Sequence, residues 1–202
     1  IPASLLMKPV GRRTGFQTGT ALGMLGGAIC SLGIYFASFW LLCAGMTVMG
    51  MYTAFGKYYR FAAADAASLS FKAKAISFTL AGGILGGVVG PEMAKRTKDL
   101  FADHVYMGSY LSLIAVCMLA MLVLSRLDIP KLSAHEQKDS GRPLGTIMRQ
   151  PVFVVAVLVS MLSYGIMNLM MTSTPLAMHA HDHHFNDAAV VLEWHIIGMY
   201  GP

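Results

Sequence analysis

Residues 17–37, QTGTALGMLGGAICSLGIYFA, and residues 39–56, FWLLCAGMTVMGMYTAFG, decide the fold. Neither run holds a charged residue. Each is close to the roughly 20 apolar residues that a helix needs to cross the hydrocarbon core of a bilayer. Ser38 alone parts them, so a tight hairpin turn belongs there. Working outward, three more runs qualify: 75–91, closed by Gly90-Pro91, then 107–125 and 152–178. A sixth begins near Ala188 and is cut off at Pro202. Strand-like alternation is absent, which excludes a membrane β-barrel. The predicted fold is all-α, a polytopic membrane helical bundle with five complete spans and one partial one.

Composition agrees. Hydrophobic residues make up 55% of the 202 residues and charged residues 12%, with a mean hydropathy of +0.59. Soluble domains carry about 25% charged residues, so a water-soluble enzyme and a disordered chain are both excluded. The net charge of +5 would suggest nucleic acid in a soluble protein. Here the positions of the basic residues give another reason. Twelve of the fifteen Lys and Arg fall before the first span, between the second and third, and between the fourth and fifth. The alternate segments hold only Lys95, Arg96 and Lys98. Basic residues collect on the cytoplasmic side of membrane proteins, which places Lys8 to Gly15 and Leu127 to Pro151 in the cytoplasm and His179 to Asp187 outside.

The polar stretch 127–151, with Pro130, Gly141, Pro143 and Pro151, reads as a cytoplasmic linker between two helical bundles. It divides the chain into 1–126 and 152–202. Cys30, Cys43 and Cys117 all lie in apolar runs and read as small buried hydrophobes, with no disulfide framework. Small residues recur four apart on the first span (Gly19, Gly23, Gly27, Ser31) and on the third (Gly82, Gly86, Gly90). This spacing lets helix backbones approach closely in lipid, so both faces are expected against neighbouring helices. No phosphate loop, nucleophile triad or metalloprotease motif is present, so no enzyme activity and no cofactor are expected. The chain opens on Ile1 and closes inside an apolar run, and is expected to be a piece of a longer protein.

Two motifs carry a family resemblance. Gly11-Arg12-Arg13, in a cytoplasmic loop before an apolar helix, resembles the end of the signature loop that joins the second and third helices of the major facilitator superfamily. Ser4, Lys8 and Pro9 stand where that signature has its first Gly, its Asp and its first basic residue. Gly86-x-x-x-Gly90-Pro91 resembles the core of the superfamily's fifth-helix antiporter motif, with Ser77, Ala94 and Lys95 in place of flanking glycines. The order of features is similar too. The five spans would be helices three to seven, with the start of the eighth, and 127–151 would be the central loop of a bacterial drug/proton antiporter-like transporter.

The resemblance implies part of an N-terminal six-helix bundle at 1–126 and the start of a C-terminal bundle at 152–202. It implies a secondary active transporter of a small molecule, working by alternating access between two halves with a midplane site and driven by protons. Multi-pass insertion in a bacterial inner membrane follows, with the bilayer and a small-molecule substrate as partners and no nucleic acid. It also implies that Asp65 contacts the Arg12-Arg13 loop and steadies the outward-open state, and that Gly11, Gly86, Gly90 and Pro91 are gating or structural positions.

Other candidates come from the residues themselves. Ser160, Tyr164, Asn168 and Thr172 recur at a spacing of four on the fifth span. A polar stripe is costly in lipid, so it faces a cavity or another helix. Tyr164, Asn168 and Thr172 are therefore substrate-cavity candidates. Glu193 and His195 sit in the partial span and are the proton-coupling candidates. His179, His181, His183 and His184 cluster beside Asp182. Imidazoles and a carboxylate can ligate zinc or copper, yet no Cys and no defined ligand spacing joins them. The polar outside loop is the plainer reading. Two other functions stay open: a metal-handling membrane protein or exporter using that loop, and a non-transporting receptor or scaffold.

Overall fold

The computed structural model describes Met7 and residues 11–68, 70–126 and 144–200. Among them the chain is helical, with no strand. The helices are α1 (Arg12–Tyr35), α2 (Phe39–Gly56), α3 (Tyr59–Ala66), α4 (Lys72–Thr97), α5 (Met107–Arg126), α6 (Leu144–Met148), α7 (Pro151–Ala180) and α8 (Phe185–Tyr200). Five segments are long and apolar enough to cross a membrane: 12–35, 39–66, 72–97, 107–126 and 151–180. This is a partial helical membrane bundle. The expected linker at 127–151 lies mostly outside the described residues, as does Lys8. Its described end holds α6. The chain divides into two compact units, 1–132 with 196–202, and 133–195.

In the first unit, Gly11 opens α1 with φ 89° and ψ 158°, a region open in practice only to glycine. The helix closes at a tight turn around Ser38. Ala37 takes a left-handed φ of 48°, and the amides of Ala37 and Ser38 donate back to the carbonyls of Ile34 and Gly33. These bonds satisfy orphan carbonyls at the helix end. Ser38 then caps α2, its hydroxyl accepting from the Leu41 amide at 3.4 Å. Three residues thus reverse the chain, and α1 and α2 lie antiparallel.

Glycines set how closely they pack. A Cβ built on Gly19 would lie 2.7 Å from Phe55 Cβ, and one on Gly26 would lie 2.8 Å from Met49 Cγ and 3.1 Å from the Gly45 carbonyl. One on Gly33 would lie 2.8 Å from the Leu42 amide nitrogen. The same helix packs α5 on its other side. A Cβ on Gly27 would come within 2.9 Å of Ile114 Cγ1, and Gly23 lies between Tyr52 and Cys117. Ser31 is buried and turns its hydroxyl inward to the Gly27 carbonyl at 2.9 Å. The small-residue face of α1 is therefore an interface with two helices. Cys30 and Cys117 are buried and Cys43 is half-buried, all three as free thiols.

In α4 the structure departs from two expectations. The helix does not close at Gly90-Pro91; it runs through Pro91 to Thr97. Proline removes one donor and kinks a helix rather than always ending it. The turns beyond are helix-forming and cross-linked by Glu92, which pairs with Lys95 at 3.4 Å and Arg96 at 2.9 Å. Nor do Gly82, Gly86 and Gly90 sit against a neighbour: a Cβ on any of them meets nothing within 4 Å among the described residues. Gly87 is the buried glycine of this helix, and a Cβ there would overlap Ile196. A spacing of four identifies a face, but not the side on which the partner lies. Gly108 takes the close approach of α5 to α4, where a Cβ would overlap the Thr97 carbonyl.

In the second unit, Pro151 begins α7, where its missing N–H is an orphan in any case. Pro175 lies inside the helix. The end is again closed by a left-handed residue, Asp182 at φ 61°. The amides of Asp182 and His183 donate to the carbonyls of His179 and Met178.

Candidate functional site

At the end of the first unit where α1 starts and where α3 and α5 finish, charged side chains of α1 meet the other two elements. The chemistry of this end follows from lipid. Guanidinium groups and carboxylates cannot sit cheaply in hydrocarbon, so they mark a membrane surface and there find one another. Arg12 forms a salt bridge with Asp65. Arg13 donates from Nη2 to the backbone carbonyl of Ser125. Adjacent residues of α1 thus tie down the ends of two other elements, α3 and α5. The Arg12 side chain is 19% exposed and that of Asp65 49% exposed, so the pair is half-sheltered. Gly11, in its glycine-only conformation, delivers both arginines to this position.

Beneath the ion pair lies a cluster of Met7, Phe16, Phe55, Ala62 and Leu124, flanked by Leu22, Tyr58 and Tyr59. Phe16 and Tyr59 stack with ring centroids 4.3 Å apart. Next to them opens an apolar cavity of about 730 Å³. Phe16 of α1, Tyr52 of α2, Tyr59, Ala62, Ala63 and Ala66 of α3, Thr79 of α4 and Val116, Leu119, Ala120, Val123 and Leu124 of α5 contribute to its wall. Sequence reasoning missed this cavity and the Ser125 carbonyl. The run Ala62-Ala63-Ala64 and the tyrosines at 52, 58 and 59 were visible in the sequence, but nothing in their spacing says that five helices converge around them.

The second unit holds the polar stripe. Tyr164, Asn168 and Thr172 are all exposed. Asn168 donates from Nδ2 to the Tyr164 carbonyl at 2.9 Å, and the Thr172 hydroxyl donates to the Asn168 carbonyl at 2.9 Å. Asn168 and Thr172 thus each bond to the backbone of their own helix. The histidines stand where α7 ends: His179 in its last turn, His181 as its C-cap, and His183 and His184 in the turn that follows. The His184 amide donates to the Asp187 carboxylate at 3.2 Å, which caps the start of α8. No three His, Cys, Asp or Glu side chains converge on a metal-sized site among the described residues. Asp182, His183, His184 and Asp187 contribute backbone closure and capping. On α8, Glu193 is half-buried and His195 exposed; two residues apart, they project from roughly opposite sides of the helix.

Comparison with known proteins finds relatives along the whole chain. The riboflavin transporter RfnT of Brucella anthropi is 38% identical over 204 residues, covering 100% of this chain and 51% of its own length. Two uncharacterized MFS-type transporters of Bacillus subtilis, YddS and YdeG, are each 28% identical, over 220 and 212 residues. They cover 99% and 98% of this chain, and 50% and 49% of their own lengths. The chain spans about half the length of the curated relatives it matches. No family model matches the chain, and no solved structure matches it.

Proposed function

The chain is a relative, over its whole length, of transporters of the major facilitator type, and from that premise we propose that it forms part of a secondary active small-molecule transporter. The observation that carries this reading is the end-to-end match to a riboflavin transporter at 38% identity. A flavin is accordingly the first substrate to test. Five membrane-crossing segments and the ion-paired end of the first unit support the same reading. In it, the protein lies in a bacterial inner membrane and exchanges its substrate against protons by alternating access. It performs no covalent chemistry.

The sidedness of this reading rests on the basic residues. The end bearing Arg12, Arg13 and Asp65 faces the cytoplasm, and the turn at 181–184 faces outward. The three basic residues of the opposite side are offset by their neighbours: Lys95 and Arg96 pair with Glu92, and Lys98 pairs with Asp99 at 3.3 Å. Single cysteines in an otherwise Cys-free transporter check the assignment. In intact cells an impermeant maleimide should label Asp182→Cys and spare Lys138→Cys; the reverse pattern would overturn it.

In the substrate path, Asn168 is the residue with most to offer. One of its two side-chain N–H groups is bonded to its own helix, which leaves the other N–H and the carbonyl oxygen for substrate or cavity water. Hydrogen bonds in membranes are worth roughly 0.6–2 kcal/mol. Asn168→Ala should therefore raise the apparent KM for substrate by about threefold to thirtyfold, with insertion unchanged. Saturation kinetics of uptake read this directly. Unaltered kinetics in both Asn168→Ala and Asn168→Leu would show that the stripe is packing.

A further inference from the structure

Asn168 lies near the middle of α7, in a run from Val152 to Met178 that carries no charged side chain. Its Nδ2 donates to the Tyr164 carbonyl at 2.9 Å. That bond folds the carboxamide back over the turn that holds Gly165, the direction in which helical side chains lean. Gly165 is exposed, and a Cβ built there meets nothing within 4 Å among the described residues. Glycine weakens a helix interior relative to alanine, and no described side chain uses the space it opens. Met161, also exposed, stands one turn before Gly165. At 100° per residue, Met161, Gly165, Asn168 and Thr172 fall within about 60° of one another around the axis. Together they form a step in the helix surface, with bare backbone at Gly165, a thioether on one side and a carboxamide on the other.

We infer that this step receives the edge of a flat, uncharged heteroaromatic solute that carries a cyclic imide or lactam, that is, adjacent ring N–H and C=O groups. The inference rests on the proposed function and names the chemistry by which that substrate path recognises its solute.

Three properties argue for this occupant. The first is hydrogen bonding. A carboxamide has two N–H donors and a carbonyl acceptor. With one N–H held by the helix, one donor and one acceptor remain on a single planar group whose orientation is already fixed. Asparagine amides read adenine through such a donor and acceptor pair, and an imide edge presents the same complement. The second property is charge. The run 152–178 has no cation to offset a phosphate or carboxylate, and an unpaired buried anion is costly. The third is shape. Gly165 lets a ring come down to the backbone, and the sulfur of Met161 makes favourable contacts with aromatic rings. The flavin proposed above has the required edge, an N3–H between two carbonyls on a planar ring system.

The test removes the two halves of the pairing separately and together. N3-methylriboflavin keeps the ring and both carbonyls and lacks the imide N–H. Uptake of riboflavin and of N3-methylriboflavin is measured in proteoliposomes carrying the transporter of its relatives' full length, with and without Asn168→Ala. Methylation alone and Asn168→Ala alone should each raise KM by about threefold to thirtyfold. The two together should raise it no further than the larger single change, because each removes the same bond. Effects that multiply would overturn the inference and assign Asn168 to packing against another helix. Equal KM values for the two flavins in the unaltered protein would also overturn it. Gly165→Val, for which the described residues leave room, serves if Asn168→Ala fails to insert. It should raise the KM for riboflavin by filling the step, and an unchanged KM would overturn the inference. The same vesicles are given small solutes without an imide or lactam edge, hexoses and amino acids among them. Transport of these alone sinks this inference and leaves the transporter reading standing, whereas transport of no solute sinks both.

Discussion

Replacing Gly45 with leucine should leave almost no folded protein in the membrane. A single Cβ at this position would lie 2.8 Å from the Cys30 amide nitrogen and 3.0 Å from the Gly26 carbonyl. Both obstacles are backbone, so no side-chain rotation relieves them. The α1–α2 pair would have to separate, and with it the α1–α5 contact that shares the same helix. One added carbon in a close-packed interior costs about 1–3 kcal/mol, so Gly45→Ala should already lower the melting midpoint by about 3–10 °C. Leucine exceeds what a stability of about 5–15 kcal/mol can absorb. Fluorescence-detected size exclusion of detergent extracts reads the outcome, with Gly50→Leu as the control. Gly50 lies on the same helix, yet a Cβ there meets nothing within 4 Å. It should give a normal peak. A normal peak for Gly45→Leu would mean that α1 and α2 do not touch as described.

The second large effect belongs to Asp65. Its removal strands the guanidinium of Arg12, whose side chain is only 19% exposed. A hydrogen bond to a charged group contributes about 1.5–3 kcal/mol. If the pair forms in only one of the two access states, its loss shifts their ratio by about ten- to a hundredfold. Asp65→Ala should slow transport by a factor of that order, while the melting midpoint, set by the glycine-packed helices, moves by a few degrees at most. The charge-exchanged double variant, Arg12→Asp with Asp65→Arg, should recover much of the lost rate. Transport at the unaltered rate in Asp65→Ala would remove the gating role. Failure of the exchange to recover activity would show that Arg12 acts on something besides Asp65.

Much of this fold could be read from the chain because lipid makes the sequence simple. The charge-free run 39–56 matches α2 to the residue, while 17–37 misses the first turn of α1, which starts at Arg12 and ends at Tyr35; Ser38 marked the turn, since a hydroxyl between two apolar runs is a natural cap. The pairing of Arg12 with Asp65 was legible for the same reason: charges stranded at span ends must meet at the membrane surface. Pro91 misled because a proline is a local signal, whereas helix continuation depended on Glu92, Lys95 and Arg96 beyond it. Gly86 and Gly90 show a smooth face by their spacing, but spacing does not name a partner: among the described residues an added Cβ at either meets nothing within 4 Å, while one at Gly87 meets Ile196. The acceptor of Arg13 is a backbone carbonyl, which every residue possesses and no sequence pattern can single out.

The central claim is that this sequence serves coupled transport of a small molecule. It is tested most directly in proteoliposomes carrying the transporter of full length, with radiolabelled riboflavin outside and a pH step across the membrane. The account predicts saturable accumulation inside the vesicles that is driven by the inward- or outward-directed proton gradient, collapses with a protonophore and is suppressed by Asp65→Ala. Uptake no faster than in protein-free vesicles, for riboflavin and for a panel of other small solutes alike, would contradict it.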